Sequence, residues 1–112
     1  MKRIRPLIGS IGVVASLLVC GQVWAQEIGQ PGAGRTFARQ ICTECHAIEK
    51  GQAFSPNLAA PPFEAIANIR GMTTTALSVA LRSPHPTMPN VILNAEELSN
   101  VVAYILSLRQ AN

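Results

Sequence analysis

Cys42-Thr43-Glu44-Cys45-His46 constrains this chain more than any other stretch. Two thiols separated by two residues can sit on the same side of one helical turn, and an imidazole directly follows the second. That spacing lets both sulfurs add across the two vinyl groups of a single haem while the histidine reaches the iron. It also explains why no residue can be inserted or removed. Two other chemistries use such a pair of thiols. A redox-active disulfide of the thioredoxin type belongs in an alternating strand–helix pattern, and the chain shows no such strands. A structural zinc site needs four closed ligands, and beyond Cys42, Cys45 and His46 only His85 is left in the sequence after residue 25. The motif therefore points to covalent haem c, attached through Cys42 and Cys45 with His46 on the iron.

Composition supports the same centre. The chain has 112 residues, one small domain at most, and is 48% apolar but only 4% aromatic. Large core side chains are scarce. The formal charge of +3 comes entirely from Lys2, Arg3 and Arg5. From residue 26 onward Arg35, Arg39, Lys50, Arg70, Arg82 and Arg109 balance Glu27, Glu44, Glu49, Glu64, Glu96 and Glu97. A chain without net charge there lacks the electrostatic footprint of a nucleic-acid binder.

The first residues account for the misleading total. A basic start, an apolar run over 7–19 and the small or apolar residues Val23-Trp24-Ala25 have the layout of a secretory signal peptide. The apolar run is short for a membrane span. We therefore expect a signal peptide over 1–25, export to the periplasm, and a mono-haem domain over 26–112 with no stable span. Retention of the leader as an anchor is the alternative. Removing 25 residues from 112 leaves 87, too few to build a large core unaided. A buried porphyrin would supply the missing apolar centre.

Along the rest of the chain the apolar spacing is helical. Pro31 can open a helix whose stripe is Gly34, Phe37, Ala38 and Ile41, running directly into Cys42. Gly34 inside it costs about 1 kcal/mol relative to alanine, which implies a packing reason. Residues 47–60 form a loop, and 62–69 a short helix with Phe63, Ile66 and Ala67 on one face. Thr73 or Thr74 can cap a third helix carrying Leu77, Ala80 and Leu81, ended by Pro84. After the proline-rich stretch 84–90, Asn94 and Glu97 have the spacing of a capping box. The last helix carries Leu98, Val101, Val102, Ile105 and Leu108, with Tyr104 beside them.

These features together resemble a class I cytochrome c, and in particular its small exported bacterial members. The residues that carry the likeness are the helix leading into Cys42-x-x-Cys45-His46, the loop Ser55-Pro56-Asn57-Leu58, Met88-Pro89 and the closing helix with Tyr104. The resemblance implies an all-α fold, about four helices wrapped around one covalently attached haem. It implies that the first and last helices cross, with Gly34 allowing close approach and Phe37 near Tyr104. It also places Pro56 and Leu58 against the haem, the Pro56 carbonyl accepting from the His46 ring. Ser55 stands where many members have glycine, so that loop can differ.

The sixth iron ligand decides the chemistry, and Met88, Met72 and His85 are the candidates. A thioether is a soft neutral ligand that raises the potential. Met88 lies on a loop stiffened by Pro86 and Pro89, an odd place for a core filler. His85 suits a solvent-facing or propionate-side position better. With His46 and Met88 as ligands, the expected function is a monomeric carrier shuttling single electrons between redox proteins such as a periplasmic dehydrogenase and a terminal oxidase. A dedicated cytochrome subunit of a dehydrogenase complex fits the same residues. A haem enzyme needs an open distal site with an acid–base residue, for which only His85 is available. A gas-binding module needs a displaceable ligand and a second domain to read it out.

Overall fold

Pro31 occupies the first turn of α1, where its missing N–H is not needed, and the helix runs over Pro31–Ile41. The computed structural model describes residues 28–83 and 85–111. The expected leader, Pro84 and Asn112 lie outside them. Three further helices follow: α2 over Phe63–Ala67, α3 over Thr74–Arg82 and α4 over Ala95–Ser107. The fold is all-α, with α4 packed against each of the other three.

The closest of these packings is α1 on α4, and glycine makes it possible. A Cβ placed on Gly34 would overlap the Asn100 carbonyl and press on the Tyr104 Cβ. Gly29 meets the Ser99 carbonyl in the same way, and the Gln30 N–H donates to Asn100 Oδ1 at 2.8 Å. The N-terminal end of the described chain is thus seated on the middle of α4.

Caps set the other helix ends. Thr73 caps α3, its hydroxyl accepting from the Ala76 N–H at 3.1 Å. Asn94 and Glu97 form the expected capping box, with reciprocal bonds of 2.8 and 2.9 Å. The expected stripe Leu98, Val101, Val102, Ile105 and Leu108 is buried, together with Tyr104, Phe63, Ala38 and Leu77. Arg109 closes the far end by donating to the Ala67 and Met72 carbonyls at 3.1 and 2.7 Å.

Two local expectations are corrected. α2 is shorter than 62–69 because the Asn68 side chain donates to the Glu64 carbonyl at 2.7 Å and closes the helix there. Ile41 is exposed, since Cys42 takes the inward position at the end of α1. Phe37 packs partly buried against the core cluster that contains Tyr104, and the Phe63 ring also lies against Tyr104, with centroids 6.4 Å apart.

Candidate haem site

The attachment motif is wound directly off the end of α1. Cys42 caps the helix, its N–H donating to the Ala38 carbonyl at 2.8 Å. The Cys45 and His46 N–H groups both turn back to the Cys42 carbonyl, at 3.2 and 2.9 Å. One carbonyl therefore holds both thiols and the imidazole in register. Both cysteines are free thiols, each partly buried. Burial pushes the Cys42 thiol up to about 11, the opposite direction from the acidic thiols of dithiol redox motifs. Among the described residues no three His, Cys, Asp or Glu side chains gather so as to hold a metal ion.

His46 is seated by a carbonyl and an aromatic ring. Its Nδ1 lies 2.8 Å from the Pro61 carbonyl oxygen, and Phe63 stacks against it, tilted, at 5.4 Å. A ring nitrogen facing a carbonyl must carry the proton, which leaves Nε2 with its lone pair available. The carbonyl expected in this position was that of Pro56. The reason for the change lies in Ser55. Its buried hydroxyl accepts from the Ala47 N–H at 2.9 Å, and the Asn57 N–H donates to the Cys45 carbonyl at 3.2 Å. These bonds lay 55–57 alongside the motif. The Phe63 N–H then donates to the Ala47 carbonyl at 2.9 Å, which brings Pro61 to the ring. The serine in place of glycine was the visible signal that this loop would differ.

The residues just past the motif are anchored by Tyr104 and by an ion-pair set that the sequence did not single out. Tyr104 Oη donates to the Ile48 carbonyl at 2.7 Å. Glu49 accepts from Arg35 and Arg39 on α1, with ion-pair distances of 2.9 and 3.0 Å. The Arg35 hydrogen bond holds the Glu49 carboxyl below its ordinary value; desolvation opposes this and Arg39 adds to it.

Among the described residues two clefts hold site candidates, and no residue lines both. One, of about 390 Å³, is lined by His46 and Pro56 together with Arg39, Thr43, Gln52 and Phe54. The other, of about 330 Å³, is lined by Met88 and His85 with Leu81, Val91, Ile92 and Leu93. Leu58 lines neither and is 84% exposed. Met72, the other methionine candidate, packs partly buried against the core. Phe54 is 82% and Ile92 93% exposed, apolar area of the kind a flat apolar macrocycle covers. Two free thiols in register, an imidazole with Nε2 available and apolar walls fit haem.

The cytochrome c family profile matches residues 32–109. The chain belongs to the cytochrome c family. It is 31% identical over 98 residues to cytochrome c-552 of Bradyrhizobium diazoefficiens, an alignment covering 88% of this chain and 93% of that protein. No solved structure matches it. As a class I c-type cytochrome it binds haem c covalently through Cys42 and Cys45 and has a haem electron-transfer role, which implies redox partners. Among the described residues no helix of this cytochrome is long and apolar enough to cross a membrane.

Proposed function

We propose that the chain is a periplasmic one-electron shuttle whose iron is held by His46 Nε2 and Met88 Sδ. In this reading residues 1–25 are removed on export, and the donor and acceptor are redox proteins such as a periplasmic dehydrogenase and a terminal oxidase. The observation that carries it is where the two candidate methionines, Met88 and Met72, lie. Met88 lines a cleft with Leu81, Val91, Ile92 and Leu93, on a loop bracketed by Pro86 and Pro89, whereas the Met72 side chain is engaged in the core.

Haem supplies the one-electron couple, and the chain's own residues serve to keep its surroundings constant. Pro61 holds the His46 proton on Nδ1. Pro86 and Pro89 reduce the freedom of the Met88 loop, so a weak thioether can stay in place in both oxidation states. His46 and Met88 as a pair favour a raised potential.

The test is spectroscopic. Oxidised protein should show a weak far-red sulfur-to-iron band that Met88→Ala removes, with a fall in potential, and that Met72→Ala leaves. Carbon monoxide should bind the reduced wild type poorly, and peroxide turnover should be negligible. N-terminal sequencing of exported protein should begin at Gln26. Rapid carbon monoxide binding with peroxide turnover dependent on His85 would overturn the carrier reading in favour of an enzyme.

A further inference from the structure

We propose that His85 is a reserve distal ligand, positioned to take the iron when the Met88 sulfur is lost. The inference rests on the reading of Met88 as the resident ligand.

His85 and Met88 are paired across the two-residue turn Pro86-Thr87, as an antiparallel bridge in which the Met88 N–H donates to the His85 carbonyl at 3.3 Å. Residues directly opposite one another in such a pair project to the same face, with Cβ atoms about 4.5–5.5 Å apart. The two side chains accordingly line one and the same cleft. Of the described residues lining it, only these two carry a side-chain atom suited to haem iron. The others are apolar, hydroxyl or amide side chains and Arg82, whose guanidinium stays protonated. Pro86 fixes the backbone at the first corner of the turn. Exchange of one ligand for the other is then a matter of side-chain reach and a small tilt of the turn, with α3 and α4 left as they are.

Thioether loss has an ordinary chemical route. Hydrogen peroxide transfers one oxygen to the Met88 sulfur: the O–O bond breaks, an S–O bond forms and water leaves. The sulfur is oxidised by two electrons and the peroxide is reduced by two. The product is polar and no longer a soft thioether. An open iron position would otherwise follow, the condition under which a haem protein turns over peroxide. With His85 in place the protein stays six-coordinate and still carries electrons, at a lower potential because the methionine contribution is gone.

The experiment compares haem-loaded wild type, Met88→Ala, His85→Ala and the double variant. Wild type and His85→Ala should both show the far-red sulfur band. Met88→Ala should lose the band yet remain low-spin, with a lower potential and slow carbon monoxide binding. The double variant should become high-spin and bind carbon monoxide rapidly. A high-spin Met88→Ala protein that is unchanged by adding His85→Ala overturns the proposal. Absence of the band in wild type overturns the Met88 reading itself, and the reserve role with it, before any variant is compared. Should Met88→Ala fail to fold, peroxide-treated wild type and His85→Ala serve instead, with the gain of one oxygen at Met88 confirmed by peptide mass. Low-spin wild type beside high-spin His85→Ala supports the reserve ligand, and two high-spin proteins overturn it.

Discussion

Tyr104 on α4 donates its hydroxyl to the carbonyl of Ile48 at 2.7 Å, two residues past His46, the last residue of the attachment motif. The same tyrosine ring packs on Phe63, and Phe63 packs on the His46 imidazole. A residue near the C-terminus thus reaches the motif by both its polar tip and its ring. The Ala47 backbone between them is tied on both sides, by Ser55 and by Phe63. The site is held by the C-terminal helix and by a loop stitched at its base.

Tyr104→Phe isolates the polar half of that link. The ring packing survives while the Ile48 carbonyl loses its buried donor, which costs about 1–3 kcal/mol. Chemical denaturation of the haem-loaded protein should show a lower midpoint with an unchanged slope. An unaltered midpoint would mean that the carbonyl finds another partner.

Gly34→Ala and Gly32→Ala make a matched pair on α1. A Cβ at Gly34 would run into the Asn100 backbone, which cannot move aside, whereas nothing lies within 4 Å of one at Gly32. Overpacking against backbone should cost about 3 kcal/mol or more at Gly34. At Gly32, alanine should stabilise by roughly 0.4–1 kcal/mol through the unfolded chain. Thermal unfolding of both variants checks the contrast, and equal shifts would contradict the close crossing.

What could be read beforehand was what depends on near neighbours. Asn94 and Glu97 cap one another across three residues, and Leu98 to Leu108 repeat at helical spacing, so α4 was visible with its cap. The Cys42–His46 spacing carries its chemistry within five residues. The Pro61 carbonyl was not legible, because it is selected by a serine hydroxyl hooking Ala47 from eight positions away. The Glu49 pair with Arg35 and Arg39 likewise exists only once the chain has folded back on α1. Ile41 satisfied the helical stripe and still ended outside, because the motif turn begins there and Cys42 points inward.

Glu49 gives the protein an acid-side dependence. Its carboxyl is held below the ordinary value, chiefly by the Arg35 hydrogen bond. The folded protein therefore binds that proton less readily than the unfolded chain does. The resulting stabilisation is fully present above the ordinary glutamate value, about 4.3, and is lost as pH falls through the depressed folded value. Glu49→Gln should lower stability slightly at neutral pH, less at high salt because the pairs are exposed. The gap from wild type should shrink as pH falls below about 4. A gap that is constant through the acid range would show that the carboxyl's charge contributes nothing.

Ser55→Ala tests whether the loop stitch governs the iron as well as the fold. The substitution removes the acceptor of the Ala47 N–H, a buried loss of about 1–3 kcal/mol. Slackening the stitch also loosens the loop that carries Pro61 toward His46. A hydrogen bond from Nδ1 to a carbonyl gives the imidazole more electron density at Nε2, which favours ferric over ferrous iron. A weaker bond should therefore raise the reduction potential. Tyr104→Phe, which leaves both the stitch and the Pro61 contact in place, should lose stability with a smaller change in potential. Voltammetry and denaturation on the two variants separate the effects. If Ser55→Ala loses stability and keeps the wild-type potential, the Pro61 contact is set by Phe63 and the Ala47 carbonyl alone.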